Sequence, residues 1–152
     1  MIYQDALKKV GIYVLEDWAM MMVDTDLVTP QLINNSQPLI VATARYKGVF
    51  DGTLTVQCPM EFAQVLAQNV LGLDEEQACT EEEILDSVKE FTNVLSGNLL
   101  TEAFGPETIF DLPELEVGQL SRTTLQEQQY SDETILHADG YPVNLRLEII
   151  GK

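Results

Sequence analysis

The chain has 152 residues, with 25 acidic and 8 basic side chains, so its formal net charge is −17. A chain of this length usually forms one domain, and a hydrophobic content of 45% is sufficient for a core. Unaided binding to a phosphate backbone or to an anionic membrane needs clustered lysine and arginine. The charge therefore excludes nucleic acid and membranes as expected partners.

Cysteine and histidine are sparse in this sequence. Cys58 and Cys79 stand alone, with one histidine in the whole chain, so neither a disulfide framework nor a zinc site is expected. The first residues lack the basic start and apolar core of a signal peptide. The longest apolar runs are far shorter than the roughly 20 residues that cross a bilayer. We expect a cytoplasmic protein with two free thiols.

The first half of the chain predicts a helix, a hairpin and a second helix. Apolar residues recur at helical spacing over residues 3–23, and the polar, proline-containing stretch 24–38 predicts a loop. Residues 38–46 and 49–57 predict two strands, with the turn at Lys47-Gly48 and Gly52 as a candidate bulge. A short helix is expected from Pro59 to Leu71, ending at Gly72.

The second half predicts one long helix and a closing hairpin. Thr80 and Glu83 fit a capping box, and the helix should run to about Ala103, before Gly105-Pro106. Residues 137–141 mark a tight turn, and the last strand alternates apolar and polar residues from Val143 onwards. That alternation predicts one buried and one solvent-facing side. The whole pattern predicts an α+β fold: a mainly antiparallel sheet with two long helices and one short helix.

The long helix divides into two faces at about 100° per residue. The apolar stripe comprises Ile84, Val88, Phe91, Leu95 and Leu99. Nearly opposite lie Asp86, Glu90, Asn93 and Gly97. A glycine inside a helix is less stable than alanine by about 1 kcal/mol, and close approach by a partner is one reason to tolerate it. Asn98 falls beside the buried stripe, so we expect it to hold a neighbouring loop or strand.

The segment from Asp86 to Asn98 has the sequence DSVKEFTNVLSGN. It resembles the signature of the CheC/CheX chemotaxis phosphatase family, which has Asp or Ser, three residues, Glu, two residues, Asn, three residues and Gly-Asn. All specified positions match. The order of helices, strands and acidic linker also looks like the family layout over nearly the whole chain. The resemblance therefore suggests a single CheX-like phosphatase domain over residues 1–152.

The resemblance implies an enzyme that hydrolyses the aspartyl phosphate of a CheY-like response regulator. Asn93 would position the attacking water, and Glu90 would pair with a lysine of the partner. Asp86, Gly97 and Asn98 would have supporting or structural roles. Mg²⁺ would be supplied in the partner's active site, so no cofactor or metal is expected on this chain. Alignment of a water and stabilisation of charge are what phosphoryl transfer mainly requires.

The number of Glu-x-x-Asn motifs distinguishes the CheC type from the CheX type within this family. The CheC type carries one motif on each long helix, whereas here Glu90 and Asn93 form the only Glu-x-x-Asn pair; Glu16 is followed three residues later by Ala19. The chain thus resembles the single-motif CheX type. The resemblance also implies a homodimer, with the sheets of the two copies joined edge to edge.

Two alternatives remain open at this point. The same fold could serve as a non-catalytic adaptor that binds receivers without accelerating dephosphorylation, because a fold can be kept while its activity changes. A hydrolase built on Asp132, His137 and Asp139 is a weaker alternative, since no serine or cysteine nucleophile motif lies near His137.

Overall fold

The computed structural model describes residues 3–24, 39–47, 51–74, 76–105, 114–120 and 132–150. These ranges contain three α-helices and six strands. The helices are α1 (Gln4–Tyr13), α2 (Met60–Leu71) and α3 (Glu81–Phe104). The strands are β1 (Val23–Asp24), β2 (Leu39–Tyr46), β3 (Asp51–Pro59), β4 (Glu114–Leu120), β5 (Asp132–Ala138) and β6 (Tyr141–Ile150).

The strands form one sheet in the order β1-β5-β6-β3-β2-β4, and every neighbouring pair is antiparallel. One face carries the apolar residues of the central strands, such as Leu54, Val56 and Leu145, which join the helices in one core. α1 approaches this face closely at Gly11, where an added Cβ would lie 2.6 Å from Leu136 and 2.7 Å from Leu145. The predicted α+β fold with an antiparallel sheet is confirmed.

The first helix ends earlier than predicted. α1 continues as one π-helical turn, Val14–Trp18, and the chain then takes a left-handed conformation at Met20, with φ of 57°. The backbone of Met22 exchanges two hydrogen bonds with Asp139 of the β5–β6 turn, at 2.9 and 2.8 Å. Since these bonds replace helical ones, the prediction of a helix to residue 23 is wrong. Met21 is buried, whereas Met20 and Met22 are exposed.

The β2–β3 hairpin is confirmed, but the predicted bulge is wrong. Gly52 pairs in regular register with Tyr46, and an added Cβ would collide with the Tyr46 phenol. The glycine therefore makes room for a buried ring. The predicted turn residue Gly48 and the predicted loop over residues 25–38 lie outside the described residues.

Both ends of α2 and the start of α3 lie where the sequence signals predicted them. Pro59 precedes α2, and Gly72 ends it in a left-handed conformation with φ of 70°. At the start of α3, the Thr80 hydroxyl accepts from the backbone N–H of Glu83 at 3.1 Å, and the Glu83 carboxylate accepts from the Thr80 N–H at 2.9 Å. This is the predicted capping box, which satisfies two donors that a helix start leaves unpaired.

The C-terminal hairpin turns at Asp139-Gly140, both with positive φ, and the inward alternation of Val143, Leu145 and Leu147 is confirmed. The opposite side of β6 is less exposed than predicted. Asn144 is only 4% exposed. The expectation of a solvent-facing side is therefore wrong at Asn144, because alternation identifies two faces but not whether the polar one is covered.

No helix among the described residues is long and apolar enough to cross a membrane.

Candidate functional site

α3 carries the residues of the predicted motif, and the core fixes its orientation. Phe91 is fully buried, with its ring centre 6.2 Å from that of Trp18 and 6.0 Å from that of Phe62. These contacts join α3 to the π-helical turn and to α2. Because Phe91 follows Glu90 directly and precedes Asn93 by two residues, its burial sets the direction in which both polar side chains point.

The buried side of α3 also contains hydroxyl groups. The Thr92 hydroxyl donates to the Val88 carbonyl and the Ser96 hydroxyl to the Thr92 carbonyl, both at 2.8 Å. Both side chains are almost fully buried. Their hydrogen bonds stay within the helix, so these groups need no partner from another element. Their hydroxyls are satisfied inside the helix and are not available to a ligand.

The outer side of α3 presents the remaining motif residues. Asp86, Glu90, Asn93 and Gly97 are all exposed, as the helical spacing predicted. Glu90 and Asn93 are three residues apart and therefore neighbours on the helix surface. No described residue forms a hydrogen bond or ion pair with the Glu90 carboxylate or the Asn93 amide. Both groups are thus open to solvent and to an incoming partner.

Asn98 has a different role from the expected one. Its side-chain amide donates to the Val94 carbonyl of the same helix at 2.8 Å, and the residue is half-buried. The expectation that Asn98 holds a neighbouring loop or strand is therefore wrong. A short amide side chain within a helix can satisfy its donor on the carbonyl one turn earlier, which sequence spacing alone did not distinguish.

A groove that sequence reasoning missed lies beside this outer face. It runs between α1 and α3 and has a volume of about 520 Å³. We call it the α1–α3 groove. Its lining consists of Lys9, Val10 and Tyr13 from α1, and of Gly97, Asn98, Thr101 and Glu102 from α3. The lone sequence signal was the glycine inside α3, since the pairing of α1 with α3 is a tertiary contact.

An ion pair joins the two walls of the α1–α3 groove. The Lys9 ammonium lies 2.7 Å from a Glu102 carboxylate oxygen, joining the two helices. The Lys9 side chain remains 71% exposed. Its charge is therefore still accessible from outside, and the pair itself adds only about 0–1 kcal/mol to stability.

The acidic residues of α3 are concentrated in its first half. Glu81, Glu82 and Glu83 occupy the first turn, where carboxylates interact favourably with the helix dipole. Lys89 is exposed one turn before Asn93 on the same helix. The surface around the motif thus contains both signs of charge, although the chain as a whole is strongly acidic.

The two cysteines are free thiols, as expected. Burial raises the pKa of the Cys58 thiol far above its ordinary range. The pKa of Cys79 is also raised, by desolvation first and by the nearby Glu83 carboxylate second. A raised pKa disfavours the nucleophilic thiolate, so neither thiol is activated for covalent chemistry.

The alternative hydrolase site is not assembled. Asp132 and His137 are five residues apart in one strand, so their side chains lie on opposite faces of the sheet. Asp139 in the turn accepts the Met22 N–H through its carboxylate. His137 is buried, at 3% exposure. A catalytic acid–base pair needs direct contact, which this placement excludes for Asp132 and His137.

The described ranges contain no group of three or more histidine, cysteine or acidic residues arranged to hold a metal ion. On α3, Asp86 and Glu90 offer two exposed carboxylates one turn apart. Two monodentate carboxylates on one helix surface are fewer ligands than a protein cage for Mg²⁺ or Ca²⁺ requires.

Several solved structures share this fold. CheX of Desulfovibrio desulfuricans superposes with a TM-score of 0.70 at 14% identity, covering 99% of this chain and 100% of that one. CheX of Vibrio vulnificus gives 0.66 at 18%, covering 97% and 96%. CheX of Borrelia burgdorferi, solved in complex with CheY, BeF3 and Mg²⁺, gives 0.61 at 17%, covering 97% and 95%. At these identities the likeness establishes the fold.

Sequence comparison establishes the family. No curated protein sequence matches the chain. The sequence profile described as "Chemotaxis phosphatase CheX" matches residues 40–134, which is more than half of the chain and includes the whole motif on α3. The chain therefore belongs to the chemotaxis phosphatase CheX family.

Proposed function

We propose that this chain hydrolyses the aspartyl phosphate of a CheY-like response regulator, with Asn93 and Glu90 of α3 as the residues that enter the partner's active site. The observation that carries the proposal is the geometry of one helix surface. Glu90 and Asn93 are exposed neighbours on the helix surface, and Phe91, which lies between them in the sequence, is fully buried in the core. A rigid helix with open polar groups is suited to insertion into a site on another protein.

Asn93 is proposed to position the attacking water. A carboxamide can accept one hydrogen bond from the water and donate another to a phosphoryl oxygen, and it does so without a titratable proton. Alignment of the nucleophile with the leaving oxygen is the main requirement of phosphoryl transfer. The water, once aligned, attacks phosphorus; the P–O bond to the partner's aspartate breaks, and inorganic phosphate leaves with the aspartate carboxylate restored.

Glu90 is proposed to fix the docking register through a lysine of the partner. An exposed carboxylate one turn before Asn93 can pair with an ammonium group and so hold the amide at a fixed depth. The CheX of similar fold that was solved with CheY supports a CheY-like receiver as the partner class.

We further propose that Mg²⁺ belongs to the partner. This chain's motif offers an amide, two carboxylates and a glycine on one helix face. When bound in the receiver, the metal supplies charge stabilisation at the phosphoryl oxygens. The chain's own residues supply alignment.

The decay of a phosphorylated receiver tests the proposal. Each receiver of the source genome would be phosphorylated with a small phosphodonor, and its dephosphorylation followed with and without this chain. We expect acceleration for the cognate receiver, and a loss of kcat of about 100-fold or more in Asn93→Ala, as for the removal of other positioned polar groups. Gln64→Ala is the matched control, since it removes an exposed carboxamide from α2.

An Asn93→Ala variant with unchanged kcat would show that the water is positioned by another group. Tight binding of the phosphorylated receiver without acceleration would identify the chain as an adaptor of the same fold.

A further inference from the structure

The α1–α3 groove continues the surface that carries Glu90 and Asn93. Gly97 lies one turn after Asn93 on the same outer face, and it also lines the groove. A partner that covers Asn93 and extends along α3 towards its C-terminal end would therefore reach the groove next. The groove and the Glu90–Asn93 face therefore share Gly97 and form one continuous surface.

The packing of this chain does not explain Gly97. Among the residues that the structure describes, a Cβ added there would meet no atom within 4 Å, so a side chain would be accommodated without displacing any of them. Gly11 of α1 is the opposite case, because its added Cβ would collide with two core leucines. A glycine inside a helix is destabilising relative to alanine, and here it opens space only on the outside of the molecule.

The walls of the groove offer hydrogen-bond acceptors and an apolar surface. Asn98 and Thr101 donate to carbonyls of α3, to Val94 and Gly97 respectively, which leaves their side-chain oxygens able to accept. On the opposite wall, Tyr13 is 54% exposed, so its ring is accessible to a partner. A loop with unpaired backbone N–H groups and one apolar side chain matches this lining.

Charge also favours an acidic occupant. By helical spacing, Lys89 and the groove lie on opposite sides of the Glu90–Asn93 pair. Lys9 lies in the groove itself, where its ammonium pairs with Glu102 at 2.7 Å but remains 71% exposed and can contact a second carboxylate. In a chain of net charge −17, these lysines place attractive charge on both sides of the motif, where a receiver phosphorylated on aspartate presents negative charge.

Resting on the phosphatase function proposed above, we propose that the α1–α3 groove is the second docking site for the same receiver. It binds a receiver loop that presents an apolar side chain against Tyr13, backbone N–H groups to Asn98 and Thr101, and a carboxylate to Lys9. Asn93 and Glu90 then act at the phosphorylated aspartate, while the groove supplies affinity at a distance from the reaction.

A substitution that fills the groove separates docking from chemistry. We expect Gly97→Leu to fold, to melt at or above the wild-type temperature by circular dichroism, and to raise KM for the phosphorylated receiver by roughly tenfold or more, as at other interface centres. Tyr13→Ala, on the opposite wall of the groove and on a different helix from Asn93, should also raise KM, and comparison of its KM and kcat effects reports docking, since interactions equal in the ground and transition states change KM alone. Gln64→Leu on α2 is the control for a leucine added to an exposed helix position.

Substitution of two lysines that are consecutive in the sequence tests the role of charge in the groove. Lys9→Met should raise KM, whereas Lys8→Met, which removes an exposed charge outside the groove lining, should not. An equal effect of both substitutions would mean that only overall charge matters, and the carboxylate contact to Lys9 would be wrong.

Different measured outcomes overturn groove docking and the phosphatase function. If wild type accelerates decay and Gly97→Leu has the wild-type KM, the groove proposal is overturned and the phosphatase function stands. If wild type neither accelerates decay nor binds any phosphorylated receiver, both are overturned. If Gly97→Leu instead changes the mass of the free protein by sedimentation, the occupant is a second copy of this chain, which also overturns the proposal.

Discussion

Glu90 and Asn93 illustrate how two neighbouring residues on one helix turn can have separate tasks. Both are exposed, and both depend on the burial of Phe91 for their orientation. In the proposed reaction, the neutral amide of Asn93 acts on the water, and the charge of Glu90 acts on docking. The two contributions should therefore appear in different kinetic constants.

Substitution of Glu90 tests the role of its charge in docking. Glu90→Gln keeps the size of the side chain and removes its charge, so the ion pair with the partner's lysine is lost. We expect KM for the phosphorylated receiver to rise by about tenfold, with kcat changed much less than in Asn93→Ala. Glu61→Gln, at an exposed position of α2, is the control. A fall in kcat equal to that of Asn93→Ala would assign Glu90 to the chemical step.

Two buried side chains should make the folded state less stable as the pH becomes alkaline. Burial raises the pKa of the Cys58 thiol and of the Tyr46 phenol in the folded state. Above the ordinary thiol pKa of about 8.5, the unfolded chain loses the Cys58 proton while the folded chain keeps it, so unfolding becomes easier as pH rises. Tyr46 adds a second loss above about pH 10.

Urea unfolding at increasing pH measures this effect. We expect the free energy of unfolding to fall from neutral pH to about pH 9.5, and to fall less steeply in Cys58→Ala, whatever the stability of that variant at neutral pH. A variant with the wild-type slope would show that other groups cause the alkaline loss.

Among whole elements, α3 is the one that its own sequence specifies most completely. The capping box sets its start, Gly105 sets its end, and the apolar stripe sets which side is buried. All of these signals lie within α3 or directly beside it in the sequence, and the packing of neighbouring elements is consistent with them. The first helix was predicted less well, because its end depends on hydrogen bonds from Met22 to Asp139, a residue far away in the sequence.

The capping box of α3 should have a measurable and cooperative effect on stability. Thr80→Ala should lower the free energy of unfolding by about 1 kcal/mol, as for other helix caps. Because the two side chains bond each other's backbone, Thr80→Ala combined with Glu83→Ala should cost less than the sum of the single losses in urea unfolding. Strict additivity would mean that the two hydrogen bonds form independently.

For the molecule as a whole, net charge is the dominant long-range property. A charge of −17 repels an acidic receiver at distances beyond the local lysines, and salt screens this repulsion over about 10 Å at 0.1 M. We expect the association rate with the phosphorylated receiver, measured by stopped flow, to be lower at low ionic strength and to rise as salt is added. A rate that falls steadily with salt would show that attraction from Lys9 and Lys89 dominates.

Assembly is a second whole-molecule property. Among the described strands, β4 lies at one edge of the sheet, and an edge strand offers backbone groups for pairing with another chain. We predict a homodimer joined through sheet edges, with twice the 17.0 kDa chain mass by sedimentation equilibrium. A monomer at micromolar concentration would contradict this prediction.

Features that depend on local periodicity and capping could be predicted from the order of the residues alone. These include α2 and α3, the two hairpins, the α+β class, and the exposed placement of Glu90 and Asn93. Each follows from residues within one or two turns, or within two adjacent strands, whose geometry is fixed by helical or strand repeats.

Tertiary structure decided everything that depends on what an element packs against. Asn144 is buried although its alternation predicted a solvent-facing side, and Gly52 lies under a tyrosine ring where a bulge was expected. The α1–α3 groove exists only because two helices far apart in the chain lie side by side. Such contacts join residues that no local repeat connects, so the sequence specified the faces of its elements and the fold determined which of them are covered.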